Sequence, residues 1–563
     1  MLSEIPSDPR GKFMTESPNP LEPRVNIPPL SDSPPPAKTE QWGSQLGVIM
    51  AVAGSAVGLG NFLRFPGNAA QNGGGAFMVP YFIALLLVGI PMCWAEWTMG
   101  RYGGRRGFNS APGIFMVVCR NKWARFAGIP ALIVPMIIYM YYVVIESWCL
   151  AYAYFYLNGL LVTKVNEGSG AYGTFFGTYT GQLADMSIFD GGHDHYLFFV
   201  VVCFLFNFFL IYRGLSKGIE TFCKIAMPIM GICAFCVLIR VLTLGPYEGR
   251  TINDGLGFMW NPDFSQLIGT KPWVAATGQI FFSLSVGFGV ILNYASYLSK
   301  KDDVVLSGLT SCSVNEFFEV CLGGLITITA GFLFLGPAVG GQGTFGMGFV
   351  ALPEVFARMP AGQLFGFLWF ILLFLAAVTS SISMLQPVIA FLEEGFGLKR
   401  HASVAILGVI TAFGSGLVIN YSKNLTALDT LDYWAGTIMI ITLAMIQAIC
   451  YAWVMGIERA SREMQAGASL TIPWFMQSIV LRFITPLYLI GLIIATCSDS
   501  SPGGLRSRIH EVSISPVAKI SFCFLLVNIA FITLLIYIAG KRWEADGKCA
   551  NLNNDDILLA QEK

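Results

Sequence analysis

The chain has 563 residues, of which 55% are hydrophobic and only 12% charged, and its 34 basic and 34 acidic residues cancel. Soluble domains carry about 25% charged residues, so this composition, with its positive mean hydropathy, describes a polytopic membrane protein. The zero balance offers nothing to nucleic acid, and no cofactor fingerprint or nucleophile–base pairing marks an enzyme.

Residues 1–41 contain SPNPLEPRVNIPPLSDSPPP, a polar, Pro-rich composition that cannot bury a core. They are expected to form a disordered cytoplasmic tail and not a cleavable signal. Twelve apolar segments follow, near 44–71, 76–101, 124–158, 197–215, 219–243, 272–298, 308–336, 361–394, 402–421, 433–457, 473–497 and 518–541. Each approaches the ~20 residues that a bilayer-spanning helix needs. Arg101, Arg105, Arg106, Lys122 and Arg125 flank the connection after the second segment. Arg213 and Lys217, Lys300 and Lys301, Lys399 and Arg400, and Arg459 and Arg462 mark later even-numbered connections. By the positive-inside rule these connections and both termini are cytoplasmic, including a C-terminal tail at 542–563. The 13 cysteines are scattered, and none lies in the outer loop 159–196, so no loop disulfide is expected. Cys233 and Cys236 form a CxxC inside a span, where small core residues are the expectation over a redox pair.

The first segment is a poor helix. Residues 53–77 read AGSAVGLGNFLRFPGNAAQNGGGAF, and each Gly costs about 1 kcal/mol relative to Ala in a helix interior. Asn61 and Arg64 are polar groups at membrane depth, where they are costly and functional by default. A Gly54–Gly58 pair alone also fits close helix packing. The whole string predicts an unwound joint at 55–60 whose free amides and carbonyls bind ions and a zwitterion. The sixth segment echoes it with SLSVGFG at 283–289, again Gly-interrupted. Paired interrupted spans point to a site between inverted repeats. The halves would be 42–243 and 272–457, with 473–541 peripheral.

This string, with QNGGGAFMVPYF, GIPMCWAEWTMGRYGG, YYVVIESW, FFSLSVGFG, SYLSKKDDVVLSGLTS, GFLWFILLFLAAVTSSISMLQPVIAFLEE and DYWAGT, closely resembles the neurotransmitter:sodium symporter family, most of all its bacterial amino-acid members. The resemblance runs over roughly 42–540. It implies an all-α membrane protein of the LeuT fold, with twelve transmembrane helices, a 5+5 inverted repeat and unwound helices 1 and 6. It implies sodium-coupled import of a neutral amino acid across a bacterial inner membrane. A homo-oligomer is compatible with the sequence. Proton-driven symport and a transport-dead sensor of the same fold are the rival readings; the neutral oxygen ligands speak against the first.

From the resemblance, Asn61, Ala56, Ser283 and Asn315 form a first sodium site with the substrate carboxylate. Ser283 replaces the threonine of the nearest family members, and Asn315 alone also fits an interhelical hydrogen bond. A second site uses carbonyls of Gly54, Val57 and Ala376 and hydroxyls of Thr379 and Ser380. The hydroxyl run Thr379, Ser380, Ser381, Ser383 also fits simple packing on a neighbour. The amides of Leu59 and Gly60 and the hydroxyl of Tyr142 would hold the substrate carboxylate. Carbonyls of Ala56, Phe282 and Ser285 would hold the ammonium, and Ile138, Phe282, Ser285, Phe288, Ser380 and Met384 the side chain. Gly58 stands where monoamine transporters carry aspartate, so the substrate brings its own carboxylate.

Glu319 stands where chloride-dependent relatives carry serine, one turn beyond Asn315, with Tyr81, Gln279 and Ser283 expected around it. A fixed carboxylate implies transport without chloride, and a protonated return implies proton antiport. Arg64 and Asp432 would form an outer gate with Phe288 capping the substrate beneath them. Trp42, Ser296, Tyr297, Gln386 and Glu394 match the inner gate. The family's arginine there is Thr39, and its aspartate is Glu394, so a Lys38–Glu394 pair is expected in their place. His193-Asp194-His195 is a weak metal motif in an outer loop.

Overall fold

A computed structural model describes residues 42–168, 170–189, 195–498, 504–549 and 552. Contacts divide the chain after Thr39, and the helical body is the unit from Glu40 onward. Lys38 and Thr39 lie outside the described residues, as do His193 and Asp194.

The longer helices are α1 Gln45–Ala56, α2 Gly60–Gln71, α3 Gly75–Gly104, α4 Lys122–Leu157, α5 Tyr196–Tyr212 and α6 Leu215–Leu242. They continue with α7 Lys271–Ser283 and α8 Val290–Ala295, then α9 Val304–Gly341, α10 Gly362–Phe396, α11 Arg400–Asn420, α12 Lys423–Gln465, α13 Met476–Ser498 and α14 Pro516–Ala545. Among the described residues nine of these are long and apolar enough to cross a bilayer, or ten with the bent pair α1–α2 taken as one span. α5 is apolar but shorter. Exposed Phe198, Val201, Leu205 and Phe209 run along α5, and Ile225, Ile229, Ile232 and Ile239 along α6. Such faces suit hydrocarbon, and the chain is a multi-pass membrane protein.

Ser44 caps α1, its hydroxyl accepting the Gly47 N–H at 3.0 Å. α1 ends at Ala56; Val57 turns to an extended conformation (φ −75, ψ 95), and α2 leaves at a bend of 43°. α7 ends at Ser283, and between it and α8 the backbone visits the left-handed region at Ser285 (φ 54), Gly287 (φ 75) and Gly289 (φ 83). Glycine takes this region freely. For Ser285 it costs of order 1–3 kcal/mol, borne where surroundings over-determine the residue. Both interruptions lie at the centre of the bundle. α1 packs on α6, α9 and α10; α7 and α8 pack on α3; and α4 runs along α10 in the most extensive helix pair.

Gly289 tests this reading of the second break. A Cβ there would lie 2.5 Å from the Ala131 carbonyl oxygen, at a φ of +83. Gly289→Ala is expected to destabilise the protein by more than about 1 kcal/mol, read as a lower melting temperature of the purified protein. Gly491→Ala, at an exposed helical glycine with open space, does not lower it.

Candidate substrate and ion site

The break in α1 needs partners for its amides, because hydrocarbon offers none. Asn61 reaches back from α2, its Oδ1 accepting the Gly58 N–H at 2.8 Å. Tyr142 of α4 accepts the Leu59 N–H at 2.9 Å, leaving its hydroxyl hydrogen to donate. A Cβ on Gly58 would lie 2.5 Å from Ser380 Oγ and 2.8 Å from Tyr142 OH, and one on Gly60 3.2 Å from the Phe282 ring. Glycine is thus a packing requirement at Gly58, and the chain holds no space there for a larger side chain. Ala56, Ile138, Ser285, Phe288 and Met384 lie buried around the joint.

The residues expected at the first sodium site meet around a carboxylate. Asn61 Nδ2 donates to Asn315 Oδ1 at 2.8 Å, and Asn315 Nδ2 to Ser283 Oγ at 2.7 Å. Glu319 Oε1 accepts from Gln279 Nε2 at 2.8 Å, and Oε2 from Asn61 Nδ2 and Asn315 Nδ2, each at 3.2 Å. Ser283 Oγ donates to the same Oε2. All five side chains are fully buried, and no Lys or Arg pairs with Glu319 among the described residues. Tyr81 lies beside Glu319 as well, and its hydroxyl donates to Glu316 Oε2 at 2.8 Å. Glu316 lies one residue after Asn315, where the helix presents a second acid to the Tyr81 side.

The hydroxyls of α10 gather on the other side of the break. Thr379 Oγ1 bonds back to Ala376 O at 3.0 Å, as hydroxyls in helices commonly do. Ser380 Oγ reaches across to Ser55 O at 3.1 Å, and Ser285 Oγ reaches the same carbonyl at 3.1 Å. Ser55 Oγ and Ser383 Oγ lie 2.7 Å apart. Gly54 faces this turn: a Cβ on it would sit 3.5 Å from Thr379 Cβ. Val57 closes the last turn of α1, its N–H bonded to Ala53 O at 2.7 Å.

Toward one end, Arg64 Nη1 lies 3.6 Å from Asp432 Oδ1, and Tyr141 OH donates to that oxygen at 2.6 Å. A cavity of about 420 Å³ opens here, lined by Leu59, Gly60, Arg64, Tyr142, Phe282, Asp432, Asp429 and Arg508 among others. The ring beneath Arg64 is Phe282, 4.2 Å from the guanidinium, and not Phe288. Phe288 packs edge-on behind it at 5.7 Å. The backbone reverses through Ser285 and Gly287 between the two rings, so helical spacing does not tell which one faces the cavity.

At the opposite end Trp42 Nε1 donates to Tyr294 O at 3.0 Å, and Gln386 Nε2 to Tyr297 OH at 3.4 Å. Ser296 Oγ turns back to Asn293 O at 2.6 Å. Glu394 holds the chain just before the helix Ala111–Val118, accepting the Asn109 N–H at 2.5 Å, the Ser110 N–H at 2.9 Å and the Ser110 hydroxyl at 2.8 Å. Its carboxylate is engaged by these bonds, and Lys38, its expected partner, lies outside the described residues. One cation at this end is Arg400, which donates to Gln386 Oε1 at 2.9 Å and stands 3.8 Å from Glu393.

Three functional candidates escaped the sequence reading. Glu96 of α3 is buried and accepts the Gly287 N–H at 3.0 Å, holding the second break. Its signal was a lone acid in an apolar span. Tyr141 and Arg400 had none beyond position.

A membrane bundle with two central helix interruptions, each held by polar side chains, has the architecture of a secondary transporter. The sequence matches the Sodium:neurotransmitter symporter family over residues 39–167 and 160–544, and the chain belongs to that family. It is a sodium-dependent transporter. An uncharacterised sodium-dependent transporter of Methanocaldococcus jannaschii is 29% identical over 88% of this chain and 97% of its own. The uncharacterised sodium-dependent transporter YhdH of Bacillus subtilis is 28% identical over 80% and 96%. Among solved structures, MhsT in complex with L-phenylalanine has a TM-score of 0.70 at 30% identity, covering 81% of this chain and 99% of its own.

Gly58→Ala is expected to force Ser380 and Tyr142 apart. Overpacking of this kind costs about 1–3 kcal/mol, equivalent to about 5- to 150-fold where it falls on binding. Sodium-dependent uptake by the variant, measured at matched protein levels, falls accordingly.

Proposed function

We propose that the protein is a twelve-helix, LeuT-fold symporter that couples the entry of a neutral L-amino acid to sodium, with both termini in the cytoplasm. The observation that carries the substrate class is the packing at Gly58 against Ser380 and Tyr142. No carboxylate side chain is accommodated at position 58, so the carboxylate that faces the Leu59 and Gly60 amides comes from the substrate, while Glu319 stands on the other side of the first ion. The Leu59 and Gly60 amides and the Tyr142 hydroxyl recognise it, and the positive end of α2 favours it. The amino-acid complex of the structural relative supports this class. Ile138, Phe288 and Met384 keep the pocket apolar and moderately small.

Two sodium ions travel with the substrate. Asn61, Ala56, Ser283 and Asn315 contribute to the first site; Gly54, Val57, Ala376, Thr379 and Ser380 form the second. Ion and substrate share ligands at the first site, so each tightens the other's binding. Arg64, Asp432 and Phe282 close the outer path. Trp42, Tyr297, Gln386 and Arg400 close the inner one.

Glu319 replaces chloride. A buried carboxylate without a cation costs several kcal/mol, and its contacts here are all neutral donors. Sodium neutralises it on the way in, and a proton does so on the return. The test is uptake of radiolabelled L-amino acids into proteoliposomes under an inward sodium gradient, with chloride replaced by gluconate. Accumulation of one or a few neutral amino acids that needs sodium and ignores chloride is the expected result. Binding without accumulation identifies a sensor instead.

Glu319→Ser separates the anion and proton roles. The variant is expected to require chloride, and to lose the internal alkalinisation that accompanies wild-type uptake, followed with a trapped pH dye. Chloride-stimulated uptake by the wild type contradicts the assignment.

A further inference from the structure

A second acid lies buried behind the site, on the side of α10 turned away from the break in α1. Glu146 of α4 stands one helical turn after Tyr142, on the same face. Its Oε2 accepts from Ser381 Oγ of α10 at 2.5 Å and from Asn207 Nδ2 of α5 at 3.0 Å, and its Oε1 accepts from the same Nδ2 at 3.2 Å. Glu146, Asn207 and Ser381 are all buried. No Lys or Arg reaches the carboxyl group among the described residues; its ionisable neighbours are Cys203 of α5 and Tyr139, Tyr142 and Cys149 of its own helix.

Stability does not account for such a group. Well-packed apolar residues commonly do as well as, or better than, buried charged groups, and ionisable residues at membrane depth are functional by default. The arrangement has a mechanical effect instead. Ser380 Oγ donates toward α1, to Ser55 O at 3.1 Å. Ser381, the next residue, donates the opposite way, to Glu146 at 2.5 Å. Adjacent hydroxyls of one turn are therefore held from two sides, which fixes the rotation of α10 where Thr379 and Ser380 turn to the break. The same carboxyl group ties α4 to α10 one turn from Tyr142, whose hydroxyl holds the Leu59 amide.

We propose that Glu146 is a positioning residue: with Asn207 and Ser381 it sets the rotation of α10 that presents Thr379 and Ser380 to the broken helix as sodium ligands. The proposal rests on the sodium-symport reading above. It carries beyond that reading a polar clasp outside the site on which ion affinity depends.

The experiment is a sodium titration of the full-length protein in detergent, with choline replacing sodium at constant ionic strength, read as the rise in melting temperature. No substrate is needed. The wild type is expected to show saturable stabilisation by sodium. In Glu146→Leu and Ser381→Ala the half-saturating sodium concentration rises at least fivefold. In Glu146→Gln it stays within twofold of wild type, because the carboxamide oxygen still accepts the Ser381 hydroxyl. Should Glu146→Leu not fold, Ser381→Ala, which removes one oxygen, decides alone. A uniform drop in melting temperature with unchanged half-saturation means a merely structural group and overturns the proposal. So does a Gln variant as impaired as the Leu variant. A wild type indifferent to sodium refutes the symport reading itself, a distinct failure that removes the ground of the proposal as well.

Discussion

A chain that stops being helical inside a bilayer exposes amides and carbonyls to a solvent that cannot bond them. Each such group costs several kcal/mol unless the protein supplies a partner. The two interruptions of this chain are met by side chains brought from elsewhere. Asn61 and Tyr142 take the Gly58 and Leu59 amides, and Glu96 takes the Gly287 amide. Ser285 and Ser380 converge on the Ser55 carbonyl. Those partners come from α2, α4, α3, the second break and α10, so satisfying the breaks draws much of the bundle together. The polar groups that remain beside the joints are what a small zwitterion and a cation need.

The architecture was legible because bilayer physics writes it in a coarse script. Runs of apolar residues mark helices by length, and Gly58, Gly60, Gly287 and Gly289 mark where helices fail. The ends moved by a few residues, as in α14, which runs to Ala545. The orientation of side chains next to the breaks was not legible. Helical periodicity assigns faces only while the helix continues, and three left-handed residues separate Ser283 from Val290. That is why Phe288 was expected beneath Arg64 and Phe282 is found there. The backbone partners of Glu394 were not legible for a different reason. Its partners are backbone amides at Asn109 and Ser110, and any residue can supply an amide, so the sequence carries no mark of the contact.

Three of the buried acids share one property, unlike Glu463 and Glu220, which pair with Arg101 and Lys224. Glu319, Glu146 and Glu96 each take hydrogen bonds from neutral donors, and none is paired with a Lys or Arg among the described residues. A protein built for rigidity would match such charges with fixed cations, or omit them. Leaving them unmatched keeps the electrostatics of the interior open to mobile charge. On the proposed function, sodium or a proton completes the interior charge in each half of the cycle. Glu319 alone among them touches the expected ligands of the first ion. Glu146 and Glu96 instead hold helix and loop in place.

Asn61 is where these strands join. Its oxygen caps the Gly58 amide, and its nitrogen lies against Asn315 and Glu319. One planar amide cannot change either set of bonds without disturbing the other. On the proposed function, a cation bound between Asn61 and Glu319 competes for the carboxylate, and the Asn61 amide facing it is the same group that holds the Gly58 amide, beside the Leu59 and Gly60 amides proposed to recognise the substrate. Coupling between ion and substrate then needs no long pathway. It follows from placing a single side chain between a helix break and a buried carboxylate.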